Sequence, residues 1–153
     1  MSHTVCLEGF GRTVDGTPVT RSRLSNGMGL SVSVLSYGGI LQQLSVPDRG
    51  GRADNIVLGF DDLTSYEKDS PYFGAIIGRY ANRIRAGAFT IDDVVFSVGK
   101  NDPFGSVHGG QVGFDKRVWQ LDPLPEPEVG VRLRYRSPDG EEGFPGTLDV
   151  RVD

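Results

Sequence analysis

The chain has 153 residues, of which 37% are hydrophobic and 24% are charged, which suits one domain or half of a larger sandwich or barrel. Its formal net charge of −4 argues against sequence-independent binding to nucleic acid or to an anionic membrane surface. The single cysteine, Cys6, excludes an internal disulfide, and no apolar run approaches the roughly 20 residues of a membrane span.

The sequence pattern of the first part of the chain predicts short strands. Residues 9–16, "GFGRTVDG", contain scattered glycines and are interpreted as a loop. "MGLSVSVLSY", residues 28–37, alternates apolar residues with serines, which is the period-two pattern of a strand. Gly38-Gly39 then predicts a hairpin-type turn into "GILQQLSV", residues 39–46.

One helix and three further alternating stretches follow. "DDLTSYEKD", residues 61–69, has the helical pattern, with Asp61 or Asp62 as its cap. Residues 87–98 predict two strands joined at Asp92-Asp93, and residues 129–137 place apolar residues on one face and three arginines on the other. The 22 glycines and nine prolines punctuate the chain at short intervals. The predicted fold class is therefore all-β, an antiparallel β-sandwich.

The last stretch, "GTLDVRVD" at residues 146–153, alternates apolar and charged residues but has no stop signal. Its apolar face needs a partner sheet. Either the chain ends on an edge strand, or it is a piece of a longer sandwich, and the second interpretation is favoured. Exposed core faces of such a piece would promote self-association.

The amino terminus, "MSHTVCLEGFGRTVDG", lacks a basic start followed by an apolar segment, so no signal peptide is predicted. A single cysteine also suits a reducing compartment, although a secreted protein without disulfides would look the same. A cytoplasmic protein is expected.

Few residues of the sequence are candidates for catalysis or for binding a metal or ligand. No cluster of Cys, His and carboxylate residues has metal-ligand spacing, and neither a phosphate loop nor a dinucleotide fingerprint is present. His108 stands before Gly109-Gly110, where a backbone can turn sharply towards a ligand; the alternative is a histidine bonded within a turn. "GRYANRI", residues 78–84, gathers two arginines and an asparagine beside an apolar run. Such donors need partners, either within the protein or on a ligand.

Three motifs occur in an order that resembles the aldose 1-epimerases. They are "VPDRGGRADNIVLGFDDLTSYEKDSPYFGAIIGRYANRIRAGAFTID" from residue 46, "VHGGQVGFDKRVW" from residue 107 and "SPDGEEGFPGTLDVRV" from residue 137. The ordered set is specific, although "ANRI" or "HGG" alone would be weak. The resemblance covers the chain from about "SYGGI" to its last residue.

The resemblance implies a large antiparallel sandwich of which residues 1–153 are the amino-terminal part. It implies interconversion of the α and β anomers of hexoses such as galactose and glucose, by acid–base ring opening without metal or organic cofactor. At the matching motif positions, Asn82, Arg83 and His108 are expected to bind the sugar, since such side chains hold several hydroxyls at once.

For several neighbouring residues, a structural role is the alternative to sugar binding. Arg79 is expected to act structurally, although an ion pair and a ligand role are about equally plausible for it. Three aromatic residues near the motifs could stack on a sugar, but such side chains more often belong to the core; they are Tyr72, Phe73 and Trp119. Residues 113–116, which include Asp115, are expected to order the loop behind His108. The acidic pair Glu141-Glu142 is interpreted as part of a solvated loop.

The sequence also departs from the family pattern. The family's catalytic histidine and glutamate lie in later motifs that this sequence does not contain, so no catalytic residue is assigned in this chain. Gly105 stands where the family usually has asparagine. Besides the enzyme half, two alternatives stay open: a non-catalytic sugar-binding homologue, and a half-sandwich that a partner chain completes.

Overall fold

The computed structural model describes residues 3–69 and 71–153. Its elements in chain order are β1 (Thr4–Arg12), β2 (Pro18–Ser25), β3 (Ser31–Leu35), β4 (Leu41–Pro47), β5 (Ala53–Asn55), α1 (Leu63–Asp69), β6 (Arg83–Arg85), β7 (Ala88–Ile91), β8 (Val94–Ser97), β9 (Gly105–Val107), β10 (Gln120–Pro123), β11 (Val131–Ser137) and β12 (Leu148–Val152). Two 3-10 turns lie at Phe114–Lys116 and Glu141–Gly143. In the part of the chain that is described, no helix is long and apolar enough to cross a membrane.

β1 to β5 form a five-stranded antiparallel sheet in sequence order. The prediction of a loop from residue 9 is wrong for residues 9–12, which continue β1 to Arg12. The pairing register shifts between Gly9 and Gly11, and this bulge breaks the period-two pattern by which a strand is recognised. The predicted turn at Gly38-Gly39 is confirmed, because both residues have left-handed φ angles, of 64° and 56°.

β10, β11 and β12 form a three-stranded antiparallel sheet. The predicted alternation in β11 is confirmed, since Val131 and Leu133 are buried. The three arginines of the opposite face make ion pairs with carboxylates in or next to the neighbouring strands; the pairs are Arg132–Asp153, Arg134–Asp122 and Arg136–Asp149.

The two larger sheets pack face to face. Val34 of β3 and Leu133 of β11 lie in one apolar cluster with Phe114 and Trp119. Leu35, the neighbour of Val34, belongs to a second cluster on the other side of β3. β3 is therefore covered on both faces, and the sandwich predicted from the sequence is confirmed.

α1 covers the second cluster. Leu63 and Tyr66 are its buried residues there. Of the two predicted caps, Asp62 is the one used: the peptide N–H of Ser65 donates to Asp62 Oδ1 at 2.9 Å. This bond, with that of the Ser65 hydroxyl, lowers the pKa of the Asp62 carboxyl.

Two short ribbons complete the fold. β7 pairs with β8 around the predicted turn, where Asp92 and Asp93 have left-handed φ angles of 46° and 62°. β6 pairs with β9 so that Arg83 lies opposite Val107. This second register brings the segments around residues 82 and 108 together.

Candidate functional site

Asn82 and His108 lie side by side just beyond the paired ends of β6 and β9. The peptide N–H of His108 donates to the Asn82 carbonyl oxygen at 2.9 Å. In return, the peptide N–H of Asn82 donates to Nδ1 of the His108 imidazole at 3.0 Å. The imidazole is thus held by a backbone group that does not depend on the identity of residue 82.

This contact assigns the tautomer of the neutral His108 ring. Because Nδ1 accepts a hydrogen bond, the ring proton lies on Nε2. Nε2–H is then a donor on the half-buried ring of His108, suited to an oxygen acceptor such as a hydroxyl.

Arg83 follows Asn82 and is only loosely engaged. Its Nη1 lies 3.5 Å from Asn82 Oδ1, and its Nη2 lies 3.9 Å from Asp102 Oδ2. Both distances are long for charged hydrogen bonds, and 61% of the side chain is exposed. The guanidinium therefore keeps donors that an incoming ligand can use.

Arg79 makes the opposite use of its donors. Its Nε donates to Ser137 Oγ, and its two terminal nitrogens donate to four backbone carbonyls, those of Ser137, Pro138, Pro145 and Gly146. The partners are carbonyls and a hydroxyl rather than the carboxylate of an ion pair. Arg79 thereby connects the segment before β6 to the turn between β11 and β12.

An aromatic residue packs against the histidine. The Tyr72 ring meets the His108 imidazole edge to face, with ring centroids 4.7 Å apart, and Lys116 Nζ lies 5.2 Å from the Tyr72 centroid. Of the other two aromatics considered from the sequence, Trp119 is buried in the core and Phe73 packs near Phe60. Only Tyr72 contacts a residue of the candidate site.

Three non-glycine residues of this region have left-handed backbones: Tyr72, Asn82 and His108, with φ of 64°, 66° and 54°. Non-glycine residues rarely adopt this conformation, although Asn, Asp and His do so more often than others, and such residues cluster at functional sites. Gly109 adjoins His108 with φ of 99°, and a Cβ there would lie 1.8 Å from the Gly78 carbonyl oxygen. Glycine at position 109 is thus required by the close approach of residues 78 and 109.

A cleft of about 440 Å³ opens beside this site. Arg79 and Arg83 line it together with apolar and aromatic side chains, those of Tyr80, Ile84, Phe89 and Phe144. Asn82 and His108 lie outside its lining. The cleft therefore shares Arg83 with the candidate site but not the histidine.

The interpretation of Glu141-Glu142 as a solvated pair is wrong. The side chain of Glu141 is 8% exposed; it accepts hydrogen bonds from the hydroxyls of Tyr135 and Ser137 and pairs with Arg117 at 2.9 Å. Burial, and then the bond to Glu141, raise the pKa of Tyr135 to about 12. A turn-rich sequence gives no signal that its carboxylates fold inwards, although two partners of Glu141, Tyr135 and Ser137, lie only six and four residues away.

Glu142 also turns inwards, and the segment behind His108 packs as expected. Glu142 accepts the peptide N–H groups of Gln111 and Val112. Phe114 enters the core, while Asp115 is 6% exposed and pairs with Lys116 at 2.7 Å. Among the residues that the structure describes, no group of His, Cys, Asp and Glu side chains is arranged to hold a metal ion.

Gly105 has a structural reason for departing from the family pattern. Its φ is 151°, and a Cβ at this position would lie 2.2 Å from the Ile84 carbonyl oxygen. An asparagine would require the β6–β9 ribbon to move apart.

The family model "Aldose 1-epimerase" matches residues 20–153. The chain belongs to the aldose 1-epimerase family. The galactose mutarotase of Bos taurus is 47% identical over 123 residues, which cover 80% of this chain and 35% of the bovine protein. The aldose 1-epimerase of Escherichia coli is 33% identical over 138 residues, which cover 90% of this chain and 39% of that protein.

Solved structures of aldose 1-epimerase relatives share the fold. The galactose 1-epimerase of Lactobacillus acidophilus superposes with a TM-score of 0.83 at 29% identity, covering 98% of this chain and 43% of that chain. An aldose epimerase homologue of C. elegans superposes with a TM-score of 0.77 at 27% identity, covering 99% of this chain and 41% of that chain. The chain thus spans less than half the length of these relatives, and the resemblance inferred from the sequence is confirmed.

Proposed function

We propose that this chain is the amino-terminal half of an aldose 1-epimerase domain and supplies part of its sugar site. The observation that carries the proposal is the pairing of Asn82 with His108, beside Arg83, in a member of this family. The complete protein interconverts the anomers of hexoses such as galactose and glucose. We place it in the cytoplasm, where an exposed free thiol such as that of Cys6 stays reduced.

Each of the three residues has a definite part in holding a neutral sugar. The Nε2–H of His108 donates to one hydroxyl, and the free donors of Arg83 bind a second as a charged partner. The exposed side-chain amide of Asn82 donates and accepts, which suits hydroxyls that do both. The His108 donor, whose direction is fixed by the peptide N–H of Asn82, helps to select the orientation of the pyranose ring.

The chemical step needs a base that removes the proton of the anomeric hydroxyl and an acid that protonates the ring oxygen. Such groups require pKa values near neutrality and must lie within hydrogen-bond reach of these atoms. In this proposal both groups come from the carboxyl-terminal half of the domain. The chain described here binds and orients the sugar but transfers no proton.

A hybrid enzyme tests the proposal. The matched segment of the bovine galactose mutarotase, 47% identical, is replaced by this chain, and mutarotation is followed by polarimetry. Losing a donor to a buried ligand costs about 1.5–3 kcal/mol, so Arg83→Ala and His108→Ala should each reduce kcat/KM by roughly ten- to a hundredfold.

His108→Asn is the matched variant for the role of the imidazole. Asparagine keeps a hydrogen-bond donor but neither takes up nor releases a proton near neutral pH. Partial retention of activity would therefore identify His108 as a binding residue. A loss as deep as that from removing the catalytic histidine of the bovine half would contradict this role. Unchanged activity in both alanine variants would contradict the proposed site.

A further inference from the structure

The loop that carries His108 is built from residues that do not fix their own conformation. His108, Gly109 and Gly110 have φ angles of 54°, 99° and 105° in succession. Two adjacent glycines give an unfolded loop wide conformational freedom, so groups outside the loop must hold it in one shape.

Asn101 holds the loop from one side. Its Nδ2 donates to the carbonyls of Val107 and Gly110 at 2.9 and 2.7 Å, and its Oδ1 accepts the peptide N–H of Val107 at 2.7 Å. These bonds fix the loop just before His108 and again two residues after it.

Glu142 holds the loop from the other side. Its Oε2 accepts the peptide N–H of Gln111 at 2.8 Å, and its Oε1 accepts that of Val112 at 3.1 Å. The carboxylate fits closely: Cβ atoms added to Gly99 and Gly110 would lie 2.1 and 2.3 Å from Oε2. One carboxylate thus satisfies two consecutive amides and occupies space that two glycines leave open.

We propose that Glu142 is a positioning residue for His108. It is not a catalytic residue, since its carboxylate is committed to backbone amides and acts on the sugar only through the loop. By fixing Gln111 and Val112 it fixes the end of the glycine pair, and so the direction of the His108 ring. This inference rests on the proposed function, because it assumes that His108 binds the sugar.

The neighbouring acidic residue has a different task. Glu141 binds Arg117 and the hydroxyls of Tyr135 and Ser137, which belong to the sheet behind the loop. The left-handed φ of Glu142, 50°, turns successive carboxylates in different directions. Glu141 and Glu142 therefore have different roles, although they are adjacent and chemically alike.

A double-mutant cycle in the hybrid enzyme tests the inference. Misplacing a binding group by about 1 Å costs up to a hundredfold, so Glu142→Ala should lower kcat/KM by about ten- to a hundredfold. In the His108→Ala background, Glu142→Ala should lower kcat/KM by no more than about twofold, since the group that Glu142 positions is gone. Glu128→Ala, which removes an exposed carboxylate from another turn, should have no effect in either background.

Glu142→Gln covers the case in which the alanine variant fails to fold. A glutamine places one carbonyl oxygen and one NH2 group where the carboxylate has two oxygens, so in the native geometry only one of the two amides keeps its acceptor. The kcat/KM of this variant should fall between those of the native protein and Glu142→Ala. Hydrogen exchange of the hybrid enzyme carrying Glu142→Gln should show that only one of the Gln111 and Val112 amides exchanges faster, by at least about tenfold.

Two results would overturn the inference. One is a Glu142→Ala loss of equal size with and without His108, which would make the effect merely structural. The other is unchanged exchange and unchanged kcat/KM in both Glu142 variants. A folded hybrid that is inactive with native Glu142 would instead contradict the proposed function, and the inference would fall with it.

Discussion

Asn82 and His108 are joined by two hydrogen bonds that use the backbone of Asn82 and not its side chain. The φ of Asn82 is 66°, a conformation that asparagine adopts at lower cost than alanine. Backbone conformation and ligand contact at this position can therefore be separated by substitution.

Asn82→Ala should lower the free energy of unfolding of the hybrid enzyme by about 1 kcal/mol, whereas Asn82→Gly should lower it by less, because glycine adopts this φ freely. Both variants lose the side-chain amide and should lose mutarotation activity to a similar extent. Urea unfolding and polarimetry measure the two effects. Full activity in Asn82→Gly would show that the side chain does not contact the sugar.

Arg79 and Arg83 are four residues apart and should respond differently to removal. Arg79→Ala removes five hydrogen bonds, to four carbonyls and a hydroxyl, so we expect the free energy of unfolding to fall by about 3 kcal/mol or more. Arg83→Ala removes a largely exposed side chain and should change stability by less than about 0.5 kcal/mol. Equal losses in urea unfolding would contradict this division.

Alkaline stability should depend on Tyr37. Burial, and then the charges of Glu67 and Asp115, raise the pKa of the Tyr37 phenol to about 12. In the unfolded chain, with a pKa near 10, the phenol loses its proton first, so stability falls as pH rises from about 10 to 12. The slope from this group is at most about 1.4 kcal/mol per pH unit.

Tyr37→Phe should flatten this alkaline loss in urea unfolding between about pH 10 and 12, because it removes the titrating group and keeps the ring. Some pH dependence should persist, since the pKa of Tyr135 is also raised to about 12. An unchanged slope in Tyr37→Phe would contradict the assignment.

The sequence predicted elements whose signals are local. The alternation of β11, the turn at Asp92-Asp93 and the cap at Asp62 each depend on a few adjacent residues. The loop interpretation of residues 9–16 missed the end of β1, because a bulge at Gly9 and Gly11 interrupts the period of this strand.

The candidate site depended on contacts between distant segments. The residue types around His108 and Asn82 could be identified from motifs, but the hydrogen bond to Nδ1 joins residues 26 positions apart. The inward turn of Glu142 towards Gln111 spans 31 positions and has no local signature. The sugar-binding roles of Asn82, Arg83 and His108 stay predictions.

Self-association of the isolated chain is expected from its surface. Several large apolar side chains are mostly exposed, among them Ile56, Leu58, Val95 and Phe104. Because apolar surface of this kind favours contact with another chain, sedimentation should show oligomers for this chain and a monomer for the hybrid. A monomeric chain that unfolds cooperatively would contradict the expectation.

Polarimetry of freshly dissolved α-galactose tests most directly the claim that this chain binds the sugar while the rest of the domain transfers the protons. The chain alone should leave the rate of rotation change at the buffer value, and the hybrid should accelerate it. Acceleration by the chain alone that disappears in His108→Ala would contradict the account, because a proton-transferring group would then lie within these 153 residues.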